Sequence, residues 1–176
     1  MKGIKSVLIS NNKVKYQFEI RRNITIVRGD SGTGKTTLYE MIAEYTRLKE
    51  KSGVQISAPC NCVALVDIDW KNQLRKTEDS IVFIDEGAEF LATKEFAEII
   101  RNTDNYYVIF NRESLHELPY SVDEIYEIKS SGKFHRFVNI YNCDEHKIYS
   151  NPVKKPEQII LTEDQKAGFE LFDEFC

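Results

Sequence analysis

Long hydrophobic runs are missing from this chain, cysteine and proline are scarce, and neither sign of charge is in large excess. No apolar stretch approaches the roughly 20 residues needed to span a bilayer. The opening MKGIKSVLISNNKVKYQFEI holds no continuous apolar run after its lysines of the kind a secretory leader carries. A cytoplasmic protein without membrane contact is therefore expected. The four cysteines, Cys60, Cys62, Cys143 and Cys176, are few and irregularly spaced, which excludes a disulfide framework and leaves reduced thiols as the default. His116, His135 and His146 are scattered and read as surface residues. Lysines and arginines number 24 against 28 acids, a net charge of -4, so the whole-molecule field gives no reason to expect nucleic-acid binding. Lys13, Lys15, Arg21 and Arg22 do gather around an early strand, where the ordinary reading is a solvated face.

What is present points to a folded domain: 41% of residues are hydrophobic and 30% charged. Short apolar blocks, SVLIS, VKYQFEI and NITIVRG, are separated by Asn-Asn at 11 and 12 and by Arg-Arg-Asn at 21 to 23. They read as strands, the first two as a hairpin. From Lys35 the period changes. Leu38, Met41, Ile42, Tyr45 and Leu48 fall at helical spacing, with Gly53 as a stop. VQISA and CVALV follow as short strands, and a polar segment near Trp70 and Leu74 as a short helix. IVFI at 81 to 84 is continuous and β-branched, as in a strand buried on both faces of a parallel sheet. Ala92, Phe96, Ile99 and Ile100 form a second helical stripe, YYVIF at 106 to 110 another buried strand, and DEIYEI with FHRFVNIY a closing hairpin. Alternation of strand and helix predicts an α/β fold. Residues 142–158 read as a polar linker or surface loop, and the end as a strand-like triplet, Ile159 to Leu161, followed by a helix carrying Phe169, Phe172 and Phe175.

Gly29-Asp30-Ser31-Gly32-Thr33-Gly34-Lys35-Thr36 satisfies G-x-x-x-x-G-K-S/T between a predicted strand and a predicted helix. Glycines let the backbone turn so that its N–H groups point at phosphate oxygens, and the helix behind adds its positive end. Lys35 is expected to reach the β- and γ-phosphates, Thr36 to coordinate magnesium, and Thr37 to complete the nucleotide-binding run. About fifty residues later IVFI ends in Asp85-Glu86. A carboxylate at the end of a buried strand can hold the magnesium shell, the role expected of Asp85, and Glu86 would polarise the attacking water. Asn111 and Arg112 follow the YYVIF strand. The carboxyl edge of a parallel sheet is where ligands sit, so Asn111 is placed to orient the water and Arg112 to touch phosphate or a neighbouring subunit.

GDSGTGKTTL behind two strands, together with IVFIDE, resembles the ABC- and AAA-type P-loop ATPases over residues 1–141. The hairpin leading into the loop is similar to the ABC-like branch of recombination and phage-defence ATPases. The resemblance implies a P-loop NTPase core with a mostly parallel sheet flanked by helices and added antiparallel strands at both chain ends. It also implies Mg2+-dependent binding and hydrolysis of ATP, with a protein partner or a homo-oligomer. Two departures stand out: no LSGGQ-type signature lies between Thr37 and Ile84, and the switch position holds Asn111 rather than histidine. Hydrolysis is then expected to be slow or to need a partner's arginine. Residues 142–176, with Glu163 after the apolar triplet, are similar to the opening of a TOPRIM nuclease domain as joined to OLD-type ATPases. A helix packed on the ATPase core is the plainer alternative. No guanine-reading N-K-x-D occurs, which favours adenine. A noncatalytic nucleotide-gated module and a small nucleoside kinase remain as competing functions, the latter without a matching arginine lid.

Overall fold

The computed structural model describes residues 3–141; the readings made for 142–176 lie outside the described residues. Nine strands form: β1 Lys5–Ser10, β2 Lys15–Ile20, β3 Ile24–Arg28, β4 Gln55–Ser57, β5 Asn61–Ala64, β6 Ser80–Ile84, β7 Tyr106–Phe110, β8 Ile125–Ser131 and β9 Phe134–Asn139. Three α-helices accompany them: α1 Lys35–Leu48, α2 Trp70–Arg75 and α3 Lys94–Arg101. Among the described residues no helix is long and apolar enough to cross a membrane.

Local chemistry accounts for the elements. The side chain of Asn11 accepts from the backbone N–H groups of Lys13 (2.8 Å) and Val14 (2.9 Å), an Asx-type turn that folds β1 back on β2. Along β2, Tyr16, Phe18 and Ile20 are buried while Gln17 and Glu19 face outward, the period-2 pattern of a half-buried strand. Every residue of β6 and β7 is buried, and each of these strands has a parallel neighbour on both sides. Thr93 caps α3 by accepting from Phe96 N–H at 3.3 Å.

The assembly departs from the expected P-loop NTPase core, a mostly parallel sheet flanked by helices with antiparallel strands added at its ends. One mixed, nearly closed barrel-like sheet forms instead, in the order β4-β1-β2-β9-β8-β3-β7-β6-β5, with only 28% of the described residues helical. The cause is a long-range pairing. Lys15–Gln17 of β2 run parallel to Phe134–Arg136 of β9, fusing the first and last hairpins into one surface. Closure is visible in the side chains. Phe18 and Phe83 lie five strand spacings apart along the order, about 24 Å on a flat sheet, yet their ring centroids are 6.3 Å apart, edge to face. The concave side wraps α1, so that Leu38, Met41 and Ile42 are buried among Val7, Ile9, Phe83 and Phe110. On the opposite side Trp70 stacks on Phe90 at 4.7 Å, and Phe96 of α3 meets Tyr107 edge to face at 6.2 Å.

Candidate functional site

Strand β3 runs straight into the glycine loop. Gly34, the N-cap of α1, has φ 98°, in the left-handed region that favours glycine. Its carbonyl accepts from Leu38 N–H at 3.0 Å and from the Tyr16 hydroxyl at 2.9 Å, and a Cβ at this position would lie 2.8 Å from that hydroxyl oxygen. Helix α1 has no side-chain cap and no acid in its first turn. Its leading N–H groups and positive end therefore have no side chain of the helix to satisfy them.

Lys35 is only 5% exposed. Its ammonium is folded back into the loop, donating to the carbonyls of Gly29 and of Asp30 (3.0 Å) and to Thr33 Oγ1 (3.5 Å). It also stands 3.9 Å from a carboxylate oxygen of Glu86. Arg112 grips the same carboxylate with two atoms, Nη2 to Oε1 at 2.9 Å and Nε to Oε2 at 3.3 Å. Its Nη2 donates to Ser31 Oγ at 3.0 Å as well. The hydrogen bond to Glu86 first, and then the charges of Glu86 and Asp30, hold the Arg112 guanidinium above its ordinary pKa. Asp30 to Thr37, Glu86 and Arg112 line a cavity of about 180 Å³, room for roughly six water molecules at ~30 Å³ each. That suits a phosphate chain; whole small-molecule sites run to about 300–1,000 Å³.

The loop residues Asp30 to Thr37, Glu86 and Arg112 thus come together around the cavity, with the Gly29 carbonyl bonded to Lys35, while Asp85 and Asn111 do not line it. Asp85 is half-buried, and its charge raises the Tyr39 hydroxyl pKa second to burial itself, with Asp67 adding to the effect. Tyr39 donates to Leu65 O at 2.9 Å. Asn111 is buried and turned into its own chain: its amide donates to Glu113 O (3.1 Å) and its side-chain oxygen accepts from Arg112 N–H (3.0 Å). In this arrangement it orients the backbone that carries Arg112.

Two contributors escaped the sequence. Tyr16, whose hydroxyl is pushed up to about 12 chiefly by burial, braces Gly34 from beneath. His135, read as a surface residue, stacks on Tyr16 with ring centroids 4.5 Å apart, and its Nδ1 lies 2.7 Å from Ser130 Oγ. Period 2 along β2 marks Tyr16 as inward-facing, but no local pattern ties it to the loop or to His135.

A magnesium ion fits the donor set in one respect. Thr36 is exposed and lines the cavity, and Asp85 directly precedes Glu86, which also lines it; both carry hard oxygens. Among the described residues no group of three or more His, Cys, Asp or Glu side chains could hold a metal by itself. An ion here would draw its remaining ligands from phosphate and water, as magnesium commonly does. No family model, curated protein or solved structure matches the chain.

Proposed function

We propose that the protein binds ATP with magnesium and hydrolyses it, using the nucleotide state to drive or gate a partner. The observation that carries this reading is the buried Lys35 ammonium, held in a glycine loop at an uncapped helix start and facing Glu86 and Arg112 across a cavity of phosphate size. The motif's resemblance to ABC- and AAA-type ATPases supports the same reading.

The chain's own residues divide the work. Backbone N–H groups of the loop and the start of α1 bind the phosphate oxygens. Lys35 exchanges the carbonyls of Gly29 and Asp30 for phosphate, a stronger and charge-assisted partner. Arg112 shifts from Glu86 to the terminal phosphate, and the freed carboxylate of Glu86 accepts a proton from the attacking water. A magnesium ion held by Thr36 and Asp85 would supply charge neutralisation on the β- and γ-oxygens.

Phosphate release from the full chain, with and without magnesium, tests the proposal. Lys35→Ala should abolish nucleotide binding, and Glu86→Gln should keep binding while turnover falls about 10²- to 10⁴-fold, the usual loss for a positioned proton acceptor. Unchanged turnover in both variants would sink the reading.

One observation favours a second reading, a nucleotide-gated module that does not cleave. Both Glu86 oxygens are already engaged by Arg112, with Lys35 close by. ATP would then stabilise the fold by mass action without turnover. Phosphate release by purified monomer would end that alternative.

A further inference from the structure

We propose that the seam between β2 and β9 is a binding groove for single-stranded nucleic acid, with cations on its phosphates and Phe134 stacked on a base. The two strands pair over only three residues, and beyond Gln17 and Arg136 they part to leave a cavity of about 710 Å³. Phe18 and Phe137 stack along the split with ring centroids 4.0 Å apart.

The walls of the cavity bring four cations, Lys15, Arg21, Lys129 and Arg136, against one acid, Glu19, although the chain as a whole is net negative at -4. Register explains the concentration. Gln17, Arg136 and Lys129 form one cross-strand row, and Lys15, Phe134 and Ser131 form the next, all on the same face. Lys129 pairs with Glu127 at 2.9 Å and Arg21 with Glu19 at 3.5 Å, whereas Lys15 and Arg136 have no carboxylate partner among the described residues. Phe134 is 53% exposed, and the Lys133 ammonium lies 5.5 Å from its ring centroid. An exposed ring flanked by unpaired cations is the arrangement that holds single strands, whose bases present open faces while their phosphates track the charge. A duplex hides those faces, and a run of acidic side chains brings no ring to stack on the phenylalanine.

Strand β9 also joins this groove to the phosphate loop. His135, between Phe134 and Arg136, faces the other side of the sheet, stacks on Tyr16, and has its Nε2 buried without a hydrogen-bond partner. Tyr16 in turn bonds Gly34. Displacing Phe134 and Arg136 therefore moves a contact of the loop. This coupling rests on the nucleotide reading above; the groove itself does not.

The test is fluorescence anisotropy of the full chain with labelled oligothymidylate and oligouridylate of about 15 nucleotides, a length near the span of one small binding fold. Duplex DNA and poly-glutamate serve as the other arms. Expected are binding of a single strand that weakens linearly with log salt, and a loss of about tenfold or more with Lys15→Glu plus Arg136→Glu. Phe134→Ala should cost about 5- to 100-fold with the salt slope unchanged, and Arg136→Lys should retain most of the affinity. The ratio of the two single-strand arms tells DNA from RNA. Oligonucleotide binding is measured first without added nucleotide, so a failure of the nucleotide reading leaves the groove standing. Absence of binding at low salt by folded protein, equal binding by all variants, or equal binding of duplex or poly-glutamate overturns the groove. An oligonucleotide affinity indifferent to ATP in a chain that binds ATP overturns the coupling.

Discussion

Gly34 answers to three demands at once: a left-handed φ, a carbonyl shared between Leu38 N–H and the Tyr16 hydroxyl, and no room for a side chain. Gly34→Ala is expected to destabilise the protein by about 1–3 kcal/mol, the range for one strained backbone position, and to weaken nucleotide binding. Urea denaturation of the single variant beside Gly34→Ala with Tyr16→Phe separates the causes, because loss of the hydroxyl relieves the close contact but leaves the φ penalty. Full recovery in the double variant would show that φ contributes nothing. Lys35, Glu86 and Arg112 show a different economy at the same scale. The Lys35 cation rests on backbone carbonyls and the Glu86 carboxylate on Arg112, so none of these three charges stands alone. Arg112→Ala removes the fork on Glu86 and should raise the rate of nucleotide entry while lowering final affinity, which stopped-flow binding of a fluorescent ATP analogue measures. A slower association would contradict the shift of Arg112 from carboxylate to phosphate.

At the scale of elements, hairpins and helices were legible because short-range patterns specify them. The alternation Tyr16, Phe18, Ile20 reads directly as a half-buried strand, and Leu38, Met41 and Ile42 read as one buried helix face. The turn from β3 into α1 was legible for a related reason: its glycines, lysine and threonine are contiguous, so a strand-to-helix loop there needs no tertiary knowledge. What the pattern could not say is which strand lies beside which. The pairing of Lys15–Gln17 with Phe134–Arg136 joins residues from opposite ends of the described chain, and no turn or period links them. The surroundings of Asn111 were hidden for the same reason, since its strand-end position was visible but its hydrogen bonds within the following turn were not. The ring contact between β2 and β6 gives the closure a measurable signature. A double-mutant cycle of Phe18→Ala and Phe83→Ala should return a coupling of about 0.5–1.5 kcal/mol, the worth of an aromatic pair beyond its buried area. Strict additivity would mean that the two strands do not face each other in solution.

At the scale of the molecule, four tyrosine hydroxyls and a thiol among the described residues sit in apolar surroundings. Burial raises Tyr16 to about 12 and Cys62 to about 12, and raises Tyr39, Tyr107 and Tyr126 above their ordinary value. Each group has a folded pKa above its unfolded one, so the native state holds its proton more tightly, and the associated stability is complete below the unfolded value and lost as pH rises. Stability is expected to fall from pH 9, the ordinary thiol value, toward pH 12, with Tyr16→Phe flattening part of the slope above pH 10. Urea midpoints across that range check it, and a midpoint rising with pH would refute the assignment. The two ends of the strand order add a last consequence. The edge strands β4 and β5 are three and four residues long. So short a stretch of unpaired backbone is a poor template for another chain to add to. The nearly closed sheet therefore resists amyloid-like stacking at its rims, and concentrated solutions should stay clear for as long as the hairpins hold together.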